Sequence, residues 1–221
     1  MFNPERPPEI TASRWLNSDK KLTLKAQKGK VVFVTVVQIA CPGSVKYGLP
    51  QAMRIRSSFS ADEVAVLGLH MAFENFDKQT PEHVEAFLKE HGFTLPVAYD
   101  KPNGTDLPQT MRDYELQGTP AILLFDRQGR LRRHYLGAVD DLRIGAEIMA
   151  LLMEDKDSPR DVSIGIERRL AAALVNPDAH GDGCGCGHDH DHDHDHSHDH
   201  AHDHGHAHGE PGHVHGPGCK H

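Results

Sequence analysis

Two groups of residues in this chain have the types and spacing to do chemistry. The first is a single thiol. Cys41 is the only cysteine before residue 177, and it directly follows the β-branched run Val31-Val32-Phe33-Val34-Thr35-Val36-Val37 and the link Gln38-Ile39-Ala40. A helical pattern over Leu49 to Phe59 comes next. A thiol at the start of a helix faces unpaired N–H groups and the positive end of the helix dipole, both of which favour thiolate, the nucleophilic form. The plain alternative is a small buried hydrophobe, a common fate of free cysteine. The strand-end position favours the reactive reading, because functional groups in open α/β sheets gather at the carboxyl ends of strands.

The second group is a histidine-dense tail. Residues beyond 177 hold 15 of the 19 histidines, nine of the 32 acids and one of the 24 bases. His188, His190, His192, His194, His196, His198, His200, His202, His204, His206 and His208 alternate with Asp, Ala, Gly or Ser, and His213 and His215 follow. Imidazole suits divalent transition metals, and neighbouring carboxylates lower the cost of collecting a cation. Cys184 and Cys186 add two thiolate candidates. The expectation is Zn or Ni held at several weak, exchangeable sites and released as histidine protonates near pH ~6.5. An alternation of His with Asp and Gly has no apolar surface to bury, so the tail reads as disordered without metal.

The tail also carries the charge. The net charge is −8, and removing residues 178–221 leaves 32 − 9 = 23 acids against 24 − 1 = 23 bases. A neutral body lacks the basic stripe of a nucleic-acid module. No apolar run approaches the roughly 18–20 residues of a membrane span. The N-terminus has early prolines and no apolar signal core, so a cytoplasmic protein is expected.

The elements that must position Cys41 can be read along the chain. Residues 1–20 read as an extension with one aromatic anchor, Trp15, and Leu22-Thr23-Leu24 as a short edge strand. The Val31–Val37 run and Val64–His70 read as strands buried on both faces. Pro81 to Gly92 reads as a helix capped by Thr80 and stopped by Gly92. A short extended segment over Pro96–Asp100 and a short helix from Pro108 to Leu116 follow. Gly118-Thr119-Pro120 then introduces the strand Ala121–Phe125, a hairpin turn over Asp126–Gly129, and the antiparallel strand Leu131–Leu136. A helix over Asp140–Met153 and another over Asp161–Leu174 complete the body. Alternating strands and helices, then a hairpin and helix, define an α/β sandwich with a mixed sheet and helices on both faces. The expected division is an N-terminal extension (1–20), a folded domain (21–155), a helical segment (156–177) and the tail (178–221).

This pattern resembles the thioredoxin-like superfamily over roughly Leu22 to Leu152. The residues that carry the resemblance are Cys41-Pro42-Gly43-Ser44, the helix with Pro50, Tyr114, Gly118-Thr119-Pro120 and Asp126-Arg127-Gln128-Gly129. It is most similar to the bacterial branch of TlpA-type thiol–disulfide oxidoreductases and alkyl hydroperoxide reductase/thiol-specific antioxidant relatives. The resemblance implies a three-layer α/β/α fold and no redox cofactor. It also implies that Cys41 is the attacking thiol and that Pro120 is a cis-proline beside it, with Thr119 offering backbone groups to a substrate. The chain departs from the family at Ser44, where the resolving cysteine falls. An internal second attack is then unavailable, and an outside thiol or a tail cysteine must release product. Ser44 could still hydrogen-bond the thiolate.

The peroxidase motif P-x-x-x-T-x-x-C would place proline and threonine at Val34 and Gln38, so the usual peroxide-activating hydroxyl is missing. The expected partners are a disulfide-bearing protein or a glutathione-like small thiol, together with transition-metal ions. A metal-delivery protein on a redox-inactive scaffold is the alternative. A joint scheme has metal loss freeing Cys184 and Cys186 to resolve Cys41. Of the body histidines, His83, His91 and His134 read as solvated. His70, at a strand end, is the one that could approach Cys41.

Overall fold

The Val31–Val37 run forms a strand with all seven residues buried, and the sheet grows outward from it. The computed structural model describes residues 2–104 and 106–174. Six strands, β1 (Ala12–Leu16), β2 (Val31–Val37), β3 (Val64–His70), β4 (Val97–Asp100), β5 (Ala121–Phe125) and β6 (Leu131–Leu136), lie in the order β1-β4-β3-β2-β5-β6. The pairs β2–β3 and β3–β4 are parallel, whereas β1–β4, β2–β5 and β5–β6 are antiparallel. The helices are α1 (Leu49–Ser58), α2 (Pro81–Glu90), α3 (Gln109–Asp113), α4 (Asp141–Leu152) and α5 (Arg160–Ala173).

This is a thioredoxin-like α/β fold with a mixed sheet between two apolar layers. The parallel crossovers through α1 and α2 put both helices on one face, with α4. There Phe33, Leu49, Val84, Leu88, Ile144 and Ile148 share one core. The opposite face is covered by α3 and the N-terminal segment, with Ile10, Val34, Val36, Met111, Tyr114 and Phe125 in a second core. Alternate residues of β2 serve the two layers, which is why its sequence is apolar except for Thr35. Thr80 caps α2 by accepting from the His83 N–H, and Gly92 follows at φ +70°.

One feature differs from the sequence reading and a second lies outside it. Leu22-Thr23-Leu24 is not a strand. The Leu24 and Lys25 N–H groups donate to the Glu9 carboxylate, and a 3₁₀ turn over Lys25–Gln27 uses the next donors, so no ladder can form. The edge strand is β1 instead, which contains Trp15 and pairs with β4, so the sheet begins at residue 12. Its sequence, Ala-Ser-Arg-Trp-Leu, lacks a clean alternation, and only Leu16 is fully buried.

The second feature is a buried ionic cluster beneath α5. Arg132, with a side chain 1% exposed, pairs with Asp126 at 3.0 Å, with Glu154 at 2.7 Å and with Glu167. Ser163 on α5 donates to Glu154 at 2.8 Å, which fastens the helix to the β5–β6 hairpin. Among the described residues, no helix is long and apolar enough to cross a membrane.

Candidate active site

The site is assembled where β2 ends. The chain turns through Gln38-Ile39-Ala40, places Cys41, and enters a helix at Pro42 that runs through a π turn over Ser44–Gly48 into α1. Pro50 offers no N–H, and its ring crowds the carbonyl four residues earlier. The wider π turn, in which the Leu49 N–H donates to the Ser44 carbonyl, accommodates it one turn before the helix regularises. Such turns are rare and frequent at functional sites.

Four residues singled out in the sequence come together here. The Cys41 thiol is partly exposed and donates to the Thr119 carbonyl at 3.3 Å. The Thr119–Pro120 bond is cis. Ser44 is wholly buried, and its hydroxyl accepts from the Gln38 N–H at 3.2 Å. Pro120 packs on two glycines of the helix start. A Cβ on Gly43 would stand 3.0 Å from Pro120 Cδ, and one on Gly48 would stand 3.3 Å from Pro120 Cβ and 3.2 Å from Thr35 Oγ1. Only glycine lets the helix approach the proline this closely.

The electrostatics favour thiolate. Partial burial raises the Cys41 pKa, but hydrogen bonds from the Ser44 side chain and N–H, the Thr119 side chain and the Gly43 N–H outweigh it, and the pKa falls below the ordinary value. No cation among the causes contributes. His70 does reach the Cys41 loop, through backbone and not through sulfur. Its Nε2 accepts from the Ile39 N–H at 3.3 Å, its ring stacks on Tyr99, and it is fully buried. Burial pushes its pKa down to about 4, so it is neutral near pH 7 and supplies no charge to the thiolate. His83, His91 and His134 are exposed.

Sequence reasoning missed Gln79. Its Oε1 accepts from the Ala40 N–H at 3.4 Å, and its side chain is fully buried. One glutamine in a polar stretch carries no pattern that would have marked it. Hollows flank the loop on two sides. One, of about 360 Å³, is lined by Tyr47, Gln51, Arg54, Pro120, Val139 and Asp141, among others. The other, of about 310 Å³, is lined by Ile39, Ala40, Asn75, Lys78 and Gln79. Among the described residues, no group of three or more His, Cys, Asp or Glu is arranged to hold a metal. The tail ligands Cys184 and Cys186, and every histidine candidate from His188 to His215, lie outside the described residues.

Fold and site together define a thioredoxin-fold protein of the thiol-oxidoreductase class. The Redoxin family profile matches residues 5–147, and the chain belongs to that family. A crystal structure of a thioredoxin-like superfamily protein is 42% identical, with a TM-score of 0.67 over 70% of this chain and 99% of its own. A thiol-disulfide isomerase from Corynebacterium glutamicum is 41% identical, with a TM-score of 0.66 over 68% of this chain and 98% of its own. StoA from Bacillus subtilis, at 18% identity and a TM-score of 0.51, shares the fold. A search of curated proteins gives no match.

Proposed function

We propose that this protein is a single-thiol disulfide exchange enzyme, with Cys41 as nucleophile, Ser44 and Thr119 as hydrogen-bonding groups around its sulfur, and Pro120 as the wall beside it. The observation that carries this reading is the half-open Cys41 thiol at a helix start, its pKa lowered by the Ser44, Thr119 and Gly43 groups. The Cys41 thiolate attacks one sulfur of a substrate disulfide. A Cys41–substrate S–S bond forms, the substrate S–S bond breaks, and the leaving thiolate takes up a proton. A second, external thiolate then attacks the mixed disulfide, carries the substrate sulfur away as a new disulfide and returns Cys41 as thiolate. One disulfide and one thiol are consumed and one of each is formed, so the electrons balance.

With Ser44 in place of a second cysteine, Cys41 needs a thiol from elsewhere, since a hydroxyl cannot resolve a mixed disulfide, and the proposed cycle takes that thiol from solution. A glutathione-like small thiol fits this role, and the hollow beside Ala40, with Lys78 on its rim, offers an anionic thiol an approach. The likeness to a thiol-disulfide isomerase at 41% identity supports disulfide chemistry. Peroxide chemistry is less well supported. Gln38, at the position where peroxidases carry the activating hydroxyl, is buried, with its N–H taken by Ser44. The test is turnover of a small disulfide with glutathione. Activity is expected to vanish in Cys41→Ser and to survive deletion of residues 178–221; activity retained in Cys41→Ser would sink the reading.

A second reading concerns the tail and rests on sequence composition. Residues 178–221, with 15 histidines and the Cys184-Gly185-Cys186 pair, are proposed to bind Zn or Ni. Equilibrium dialysis should show several ions per full chain at neutral pH, release on acidification through pH ~6.5, and loss with the tail. Equal uptake by a chain ending at residue 177 would refute it.

A further inference from the structure

The link between β2 and Cys41 belongs to no strand or helix, so its N–H groups must find partners elsewhere. Each of three consecutive donors goes to a different side chain. The Gln38 N–H donates to Ser44 Oγ at 3.2 Å, the Ile39 N–H to His70 Nε2 at 3.3 Å, and the Ala40 N–H to Gln79 Oε1 at 3.4 Å. The acceptors come from the helix start, the end of β3 and the turn before α2. All three acceptor side chains are buried, although Ala40 itself is exposed beside the hollow lined by Asn75 and Lys78. The Cys41 N–H closes the turn onto the Gln38 carbonyl at 3.0 Å.

The two distant acceptors are themselves held. Gln79 Nε2 donates to the Glu74 carbonyl at 2.8 Å, and the Gln79 carbonyl accepts from the Tyr99 hydroxyl at 2.9 Å. The Tyr99 ring stacks on His70 with centroids 5.4 Å apart and planes 13° apart. The acceptor role requires His70 to be unprotonated, because an imidazolium has two donors and no acceptor. Full burial against Tyr99, beside Val37 on the next strand, favours that neutral form and outweighs the Gln79 side-chain hydrogen bond, which favours the charged one.

We propose that His70 and Gln79 are positioning residues for Cys41: by accepting from Ile39 and Ala40 they fix the backbone that carries the thiol, so that the Gly43 and Ser44 N–H groups stay directed at its sulfur. The proposal rests on the reading of Cys41 as nucleophile. Neither side chain has a hydrogen bond to the sulfur, so their loss acts on thiolate stabilisation through the loop alone.

The experiment is the pH profile of Cys41 alkylation by iodoacetamide, in the full chain with Cys184, Cys186 and Cys219 replaced by serine. His70→Phe and Gln79→Met remove an acceptor at similar volume, and His70→Gln returns one. Below neutrality the first two are expected to alkylate about tenfold more slowly than the parent, the equivalent of a tenfold smaller thiolate fraction. Above the thiol's titration, rates should agree within about twofold, because every thiol is then ionised. His70→Gln should recover most of the difference. If His70→Phe does not fold, Gln79→Met and Tyr99→Phe carry the same test, the latter removing only the hydroxyl that holds Gln79. Folded variants with the parent's profile, or a defect that His70→Gln does not relieve, would overturn the positioning role. A parent profile centred near the ordinary cysteine pKa of ~8.5 would overturn the nucleophile reading and this one together.

Discussion

At the scale of single residues, the same histidine that braces the loop links pH to stability. His70 has a pKa of about 4 in the fold and an ordinary value of about 6.5 when unfolded. The unfolded chain therefore binds a proton below pH ~6.5 that the folded chain refuses until about pH 4, and folding weakens as pH falls through that window. At about 1.4 kcal/mol per pKa unit, the effect is on the order of 3 kcal/mol at most. Urea unfolding midpoints should drop between pH ~6.5 and ~4.5, and the drop should shrink in His70→Gln, whose side chain does not titrate. A variant with the parent's full pH dependence would assign the loss to carboxylates instead. The place of Cys41 at a strand end and the cis-proline were legible because each is marked by residue type and by neighbours. The brace was not. His70 and Gln79 stand 31 and 39 residues from the N–H groups they hold. Hydrogen bonds to backbone leave no trace in the identity of the residue that donates.

At the scale of elements, legibility followed burial pattern. β2, β3, β5 and β6 were read with correct bounds, the first three because near-continuous apolar runs define them and β6 because the Asp126–Gly129 turn precedes it. β1 was missed, since its pairing with β4 rests on backbone bonds more than on a buried face. The π turn at Ser44–Gly48 was likewise invisible, although Pro50 now accounts for it. Gly48 is where this element and the cis-proline meet. Gly48→Ala would press a methyl between Pro120, Thr35 and Val37, at 3.2–3.4 Å from each. The expected cost is about 1–3 kcal/mol, as for other overpacked interiors. It should appear as a lower urea midpoint together with slower Cys41 alkylation, because the helix start and the sulfur's donors move as one piece. A loss of stability with an unchanged alkylation profile would separate the two.

At the scale of the whole molecule, α5 and the hairpin are joined by charge more than by apolar contact. Arg132 and its partners Asp126 and Glu154 have side chains at most 3% exposed. Removing one partner of such a buried set leaves uncompensated charge, at a cost of about 3–5 kcal/mol. The Arg14–Glu82 pair on β1 and α2 is exposed and screened by solvent, so it contributes far less. Arg132→Ala is therefore expected to lower the unfolding free energy several times more than Arg14→Ala in matched urea titrations. Equal effects would show that the cluster opens to water. Glu167 points the same way. Burial raises its pKa, but the Arg132 hydrogen bond and the surrounding arginine charges lower it further than burial raises it. Its contribution is present above the ordinary carboxylate pKa and is lost as pH falls through the lowered value.

The buried Ser44 hydroxyl has one more consequence. A protein with two active-site cysteines owns a dithiol/disulfide couple, and so has a reduction potential of its own against which partners are oxidised or reduced. Among the described residues this chain has one thiol and no such couple. On the proposed single-thiol cycle, the fraction of Cys41 held in covalent adduct would be governed by the ratio of disulfide to thiol in the surrounding solution. Cys41 by itself would then impose no redox direction. It would bring its substrates into equilibrium with the ambient thiol pool and follow that pool wherever it drifts.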